Sequence, residues 1–225
     1  MSEAARRVLL LPRPRALLLD WDNTLVDTWP CIGKATNITL KTMGFDPWSE
    51  EEIRARVAGS LRDTFPKIYG ERWEEARDVY YKAFGEVHLE MLKALEGAED
   101  VLNLSSKAGL YLGVVSNKTG RYLRAEAEHL GWSRFFGGIV GAQDASRDKP
   151  DPEPVHLALS TGNIRAGADV WFVGDAPIDV TCGRAAGCTT IIVGPEPSAN
   201  IVTERAHAYV KDCSALADLV RAHLA

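Results

Sequence analysis

Cysteine is scarce in this sequence, and its four copies, Cys31, Cys182, Cys188 and Cys213, are scattered with no Cys-x-x-Cys among them. That excludes the common zinc frameworks, and with no secretory pattern the thiols are expected to be reduced rather than paired. Histidine offers no ligand spacing either: His88, His129, His156, His207 and His223 stand apart and read as satisfied or exposed side chains. Long apolar runs are missing. The stretch 8–11, behind Arg6 and Arg7, stops at Pro12 and is too short for a signal core or a membrane span. Glu3 also speaks against an organelle-transit segment. There is no basic block, no interleaving of aromatic with basic residues, and the net charge is −5, which argues against nucleic acid as a partner. Internal repeats, long linkers and low-complexity tracts are lacking as well. The expectation is a soluble, cytoplasmic protein with neither nucleic acid nor membrane as a partner, and the pattern sets no oligomeric state.

What is present is ordinary in bulk and specific in detail. A chain of 225 residues, 46% hydrophobic and 25% charged, suits one good-sized α/β domain or a core with a modest insertion. An anionic substrate would need local positive charge, because the overall balance is acidic. Leu17-Leu18-Leu19 reads as a buried strand that runs into Asp20-Trp21-Asp22-Asn23-Thr24. Open α/β sheets bind ligands at the carboxyl ends of their strands. Two aspartates one residue apart there repel each other and need a cation. A hard divalent ion such as Mg²⁺ prefers carboxylate oxygens and keeps positions open for phosphate. The same residues also suit a plain turn.

Thr28 or Asp27 can cap a helix with Pro30 in its first turn, lined by Ile32, Ala35, Ile38 and Leu40 and ended by Gly44. Ser49-Glu50-Glu51-Glu52 has the capping-box pattern for a short helix stopped by Gly59. Trp73, Tyr80, Phe84, Val87, Met91 and Leu95 recur at helical steps and predict one long amphipathic helix. No strand pattern interrupts 28–95, although a simple crossover needs only about a dozen residues. Residues 28–96 are therefore expected to form an inserted all-helical domain, with 1–27 and 97–225 as the core. From Gly97 strands and helices alternate. A helix to Lys107 leads to a strand over 110–116, a helix over 118–131, a strand over 139–141 and a helix over 152–162. A strand over 170–173, a helix ending at Gly187, a strand over 189–193 and a closing helix over 214–224 complete the chain. That alternation predicts an α/β fold, a doubly wound parallel sheet covered on both faces.

Three further stretches follow Asp20-Trp21-Asp22 in order: Val114-Val115-Ser116-Asn117, Asp148-Lys149-Pro150, and Phe172-Val173-Gly174-Asp175 with Asp179 beyond it. As an ordered set they resemble the four signature motifs of the haloacid dehalogenase superfamily, and the helical insert resembles the cap of its phosphoglycolate-phosphatase-like branch. The resemblance implies a Rossmann-like core and a Mg²⁺-dependent phosphatase. It would hydrolyse a small phosphorylated metabolite through an aspartyl-phosphate, with phosphoglycolate as the first guess.

The roles follow the motifs. Asp20 is implied as nucleophile and metal ligand. Asp22 would protonate the leaving alkoxide and then activate water, its backbone carbonyl on the metal. Ser116, helped by Asn117, would meet a phosphoryl oxygen, although Ser-Asn is common in turns. Lys149 would pair with Asp20 and the phosphate, held in a proline-stiffened stretch. Asp175 would complete the metal site, with Asp179 joining it as an outer-shell residue; an aspartate is also favoured at a helix start without any function. Thr24 is placed with the substrate-binding set, bonding within its turn or to Asp20. Arg62, in Gly59-Ser60-Leu61-Arg62-Asp63, resembles a cap-loop arginine for a substrate carboxylate or second phosphate, or simply pairs with Asp63. Asp22 separates this chain from the dehalogenase and phosphonatase branches. A sugar-phosphate mutase would keep it and is the alternative enzyme. A non-catalytic binding protein on the same scaffold is the alternative of another class, but nothing in it would require Asp20, Asp22, Lys149 and Asp175 together.

Overall fold

The structure is a computed structural model describing residues 11–57, 61–194 and 206–224, with the side chains of Arg62 and Asp63 outside that description. The chain runs β1 (Ala16–Leu19), β2 (Val26–Asp27), α1 (Trp29–Thr42), α2 (Glu50–Arg56), α3 (Leu61–Tyr69), α4 (Trp73–Met91) and β3 (Lys93–Ala94). It continues through α5 (Ala98–Lys107), β4 (Tyr111–Thr119), α6 (Gly120–His129), β5 (Gly138–Ala142) and α7 (Glu153–Ser160). It closes with β6 (Val170–Gly174), α8 (Pro177–Ala185), β7 (Thr189–Val193), β8 (Ala208–Val210) and α9 (Cys213–Leu224). Two compact units result: Met1–Val26 with Ala94–Ala225, and Asp27–Lys93.

The first unit is a parallel sheet in the order β5-β4-β1-β6-β7-β8. All four residues of β1 are buried, as expected for a strand with neighbours on both sides and helices on both faces. Removing each such leucine from water contributes about 1.5–3 kcal/mol. Leu18 packs with Val115, Val155 and Phe172 in one core cluster. Leu19 stands opposite Val114 of β4 and Val173 of β6, so the tips of β1 and β6 finish within one residue of each other while β4 continues past them to Thr119. The chain builds outward from β1 to β4 and β5, then crosses to β6, β7 and β8 on the other side. A crevice between diverging connections is expected where the strand order reverses like this.

The second unit is helical. Ser49 accepts from the Glu52 N–H and Glu52 from the Ser49 N–H, the reciprocal cap its sequence predicts. Tyr80 stacks on Phe84 and Phe84 on His88, with Phe65 edge-on to Tyr80. Arg54 lies over the Trp29 ring and Arg56 over Trp48.

Several expectations need correction. Ile38 is 37% exposed; the buried face of α1 is Cys31, Ala35, Thr36, Thr39 and Leu40, small and half-polar residues that an apolar count passes over. Thr39 can be buried because its hydroxyl donates to the Ala35 carbonyl. Arg62 stands in the first turn of α3 rather than in a loop. Gly59, Ser60 and the Arg62 side chain lie outside the described residues, so the contact expected of that arginine does too. β3 breaks the strand-free reading of 28–95, and β8 was not anticipated. β4 runs to Thr119 with a register shift after Val115, so Lys118 belongs to a strand end and not to the following helix. As expected, the four cysteines form no disulfide, and all are buried. No helix among the described residues is long and apolar enough to cross a membrane.

Candidate active site

Asp20 leaves the tip of β1 with its N–H donating to the Val173 carbonyl, which extends the β1–β6 ladder by one bond. The chain then turns back on itself: the N–H groups of Thr24, Leu25 and Val26 all donate to the Trp21 carbonyl, and Asn23 takes a left-handed φ of 57°. Asparagine tolerates that conformation better than most residues. Asp175 follows the tip of β6, and Asp179 lies in the first turn of α8.

These three carboxylates converge. Asp20, Asp175 and Asp179 each offer an oxygen within 4.8 Å of the others. Lys149 enters from the loop before α7 and places its Nζ 2.8 Å from Asp20 Oδ1 and 2.7 Å from Asp179 Oδ1. Asp179 Oδ2 accepts from the Ala176 N–H at 3.0 Å, so both of its oxygens are engaged. Burial pushes the Asp20 carboxyl up to about 6; Lys149 pulls it down, while Asp179 and Asp22 add to the rise. Asp175 is pushed up to about 8, first by burial and then by the charges of Asp20 and Asp179. Burial works against the Lys149 ammonium, but Asp179 and Asp20 outweigh it and hold its pKa above the usual lysine range.

Other residues singled out from the sequence take different places. Thr24 is fully buried and donates to Asp175 Oδ1 at 3.4 Å, not to Asp20. Asn117 spends its amide on Lys149: its Oδ1 accepts from the Lys149 N–H and its Nδ2 donates to the Lys149 carbonyl, both at 3.0 Å. It therefore positions the lysine's backbone, a task that accounts for both ends of its side chain. Ser116 is buried at the end of β4, its Oγ accepting from the Lys118 N–H. The Asp22 carboxylate turns to Lys118 instead of joining the other three, with Nζ 2.6 Å from its Oδ1. Lys118 also reaches Glu126 Oε2 at 2.7 Å, and the same oxygen accepts from Trp21 Nε1 at 2.7 Å.

Comparison with known proteins settles the family. Residues 17–193 match the model of the haloacid dehalogenase-like hydrolases. This chain belongs to that family. It is 32% identical over 186 residues to the N-acetylmuramic acid 6-phosphate phosphatase of Pseudomonas aeruginosa, covering 80% of this chain and 82% of the relative. It is 33% identical over 181 residues to the pyrophosphatase PpaX of Bacillus velezensis, with 79% and 82% covered. A phosphoglycolate phosphatase of Pseudomonas fluorescens is 27% identical over 186 residues, with 77% and 67% covered. A solved structure from Clostridium difficile superposes with a TM-score of 0.81 at 23% identity, covering 92% of this chain and 99% of its own, and so shares the fold. Within the family this chain is an enzyme of the phosphatase type.

The carboxylate cluster of this haloacid dehalogenase-like hydrolase fits a divalent cation. Three carboxylates against one ammonium leave two negative charges uncompensated. Burial is the first cause of the raised Asp20 and Asp175 carboxyls, and the neighbouring carboxylate charges add to the rise. The donors are all hard oxygens, the set that Mg²⁺ and similar ions prefer. Asp20 and Asp175 would hold the ion, with Asp179 beside them tied to Lys149 and to the Ala176 N–H.

Two residues of this site, Lys118 and Glu126, escaped the reading of the sequence. Lys118 was placed in a helix, and a glutamate at 126 reads as a surface residue. The one available signal was the pairing of a lysine two residues past Ser116 with an acid eight residues further on.

Gly174 has a specific reason to be glycine. A Cβ there would fall 2.3 Å from Asp179 Cγ and Oδ2. Gly174→Ala is expected to displace Asp179 and through it Lys149, costing about 1–3 kcal/mol of stability. Urea denaturation checks this; an unchanged midpoint would show that the close approach is not required.

Proposed function

We propose that this hydrolase is a Mg²⁺-dependent phosphatase of small phosphorylated metabolites that transfers the phosphoryl group to Asp20. The observation that carries the reading is the convergence of Asp20, Asp175 and Asp179 around the Lys149 ammonium. Lys149 engages Asp20 Oδ1, which leaves Oδ2 to attack phosphorus. The bond from phosphorus to the leaving oxygen breaks as the new one forms, and Asp22 supplies the proton that the alkoxide needs. Water then attacks the aspartyl-phosphate, giving a proton to Asp22 and releasing inorganic phosphate and the free Asp20 carboxylate. The Ser116 hydroxyl and the Lys149 ammonium take up charge on the phosphoryl oxygens in both steps. A bound divalent ion supplies further compensation of that charge.

The names of the relatives point to three kinds of substrate: a sugar phosphate, pyrophosphate and phosphoglycolate. A panel containing these three, ranked by kcat/KM, tests the class. A product that retained its phosphate at a new position would instead mark a mutase.

Metal dependence has a pH signature. Both carboxyls are raised above the ordinary 3.8, to about 6 and about 8. The metal-free folded chain therefore binds protons that the unfolded chain has released. That contribution to stability is full below about pH 4 and is lost as the pH rises through 6 and 8. Mg²⁺ displaces those protons, so it is expected to raise the melting temperature more above about pH 8 than below about pH 6. Thermal unfolding in chelator and in Mg²⁺ at both ends reads the difference. Equal shifts at the two ends would remove the ion from these carboxylates, and hydrolysis of p-nitrophenyl phosphate unaffected by chelator would remove it from the reaction.

A further inference from the structure

Outside the carboxylate cluster the core holds a second buried charge network. Glu126 on α6 is fully buried, Lys118 at the end of β4 keeps 5% of its side-chain surface exposed, and Asp22 in the turn after β1 keeps 29%. Exposure thus rises along the network, from a shielded anchor to an open tip. Glu126 Oε2 takes hydrogen bonds from Trp21 Nε1 and from Lys118 Nζ, each 2.7 Å long, and Lys118 passes the constraint to Asp22 Oδ1 at 2.6 Å. Trp21 is itself fixed, fully buried and edge-on to Trp132 with ring centroids 5.9 Å apart. An ion pair serving only to tie α6 to the sheet would be complete with Lys118 and Glu126. The third member, on the partly exposed residue next but one to Asp20, has no such use.

We propose that Lys118, held by Glu126 and Trp21, is the positioning residue for the acid–base carboxyl of Asp22. The argument is stereochemical. An ammonium has three donors and no acceptor. The carbonyl oxygen of a carboxylic acid accepts from it better than the hydroxyl oxygen does, so Oδ1 keeps the accepting role and the proton is favoured on Oδ2. Lys118 therefore fixes both the rotamer of Asp22 and which of its two oxygens faces the leaving group. In the step itself Oδ2–H breaks as the leaving oxygen gains the proton and the P–O bond cleaves; Lys118 neither gains nor loses anything.

This inference rests on the phosphatase reading, and the test separates the two. Phenyl phosphate and p-nitrophenyl phosphate present the same phosphoryl group, but phenoxide leaves less readily and depends more on protonation. The readout is the ratio of kcat/KM for the two esters, measured on one preparation so that the folded fraction cancels. Lys118→Met is expected to depress phenyl phosphate hydrolysis about tenfold or more beyond its effect on p-nitrophenyl phosphate, in the same sense as Asp22→Asn. Lys118→Met alone leaves Glu126 buried without its cation and can fail to fold. Lys118→Met combined with Glu126→Gln leaves no charge in the fully buried position of Glu126, keeps Asp22 partly open to water and keeps an acceptor for Trp21, and it is expected to show the same shift in ratio. Loss of a direct phosphate contact would lower both esters alike. A wild-type ratio in the double variant therefore overturns the positioning role while leaving Asp20 chemistry intact. Absence of hydrolysis of either ester by the wild-type protein would instead bring down the phosphatase reading, and full activity of Asp20→Asn would remove Asp20 as the attacking group.

Discussion

Asp20→Asn is expected to lower kcat/KM for p-nitrophenyl phosphate by about 10³-fold or more, with the fold retained. The amide keeps the size of the carboxylate and an oxygen for Lys149, but it is too weak a nucleophile to accept a phosphoryl group. The variant should not suffer in stability. Asp20 is buried, is pushed up to about 6 and sits among like charges, so removing its charge relieves repulsion in the metal-free protein above that pH. Steady-state kinetics beside a thermal melt reads both halves. Activity within a few-fold of wild type would exclude Asp20 as the attacking group.

Lys149→Met is expected to damage stability and turnover together. The ammonium, 2.8 Å from Asp20 and 2.7 Å from Asp179, is their shared cation. Breaking a buried pair on one side costs about 3–5 kcal/mol. The direction with pH follows from the carboxylates. Without Lys149 the Asp20 carboxyl rises further above its unfolded value, so the variant is least destabilised at low pH. Its deficit grows as the pH climbs through the range in which these acids ionise. Denaturation in urea at about pH 5 and about pH 8 measures that widening. The rate should fall by about 10²–10³-fold, as when an oxyanion-stabilising donor is removed. A variant with wild-type midpoints at both pH values would show that the ammonium does not balance these acids.

The alternation of strands and helices was legible because buried parallel strands are continuous apolar runs and their helices end on glycine, as at Gly109, Gly131 and Gly187. The order of the motifs placed Asp20, Ser116, Lys149 and Asp175 in or just beyond the carboxyl halves of parallel strands β1, β4 and β6 or in the loop before α7, and the parallel register puts those strand halves on one edge of the sheet. Contacts that depend on distant side chains were not legible. Thr24 lies 151 positions from Asp175, and Asn117 reaches 32 positions to clasp the backbone of Lys149. No local pattern encodes such pairs. Lys118 was hidden for a different reason: the apolar run ends at Val115 and the strand reads as finished at Ser116, although β4 continues as polar residues beyond a register shift. Glu126 was hidden because a charged residue amid a polar helix carries no mark of burial until its partners are seen.

Every named member of the carboxylate and ammonium cluster belongs to Met1–Val26 or Ala94–Ala225, and none to Asp27–Lys93. A substitution in the helical segment therefore replaces none of the side chains that set this balance of charge, whereas one among the four cluster residues changes it directly.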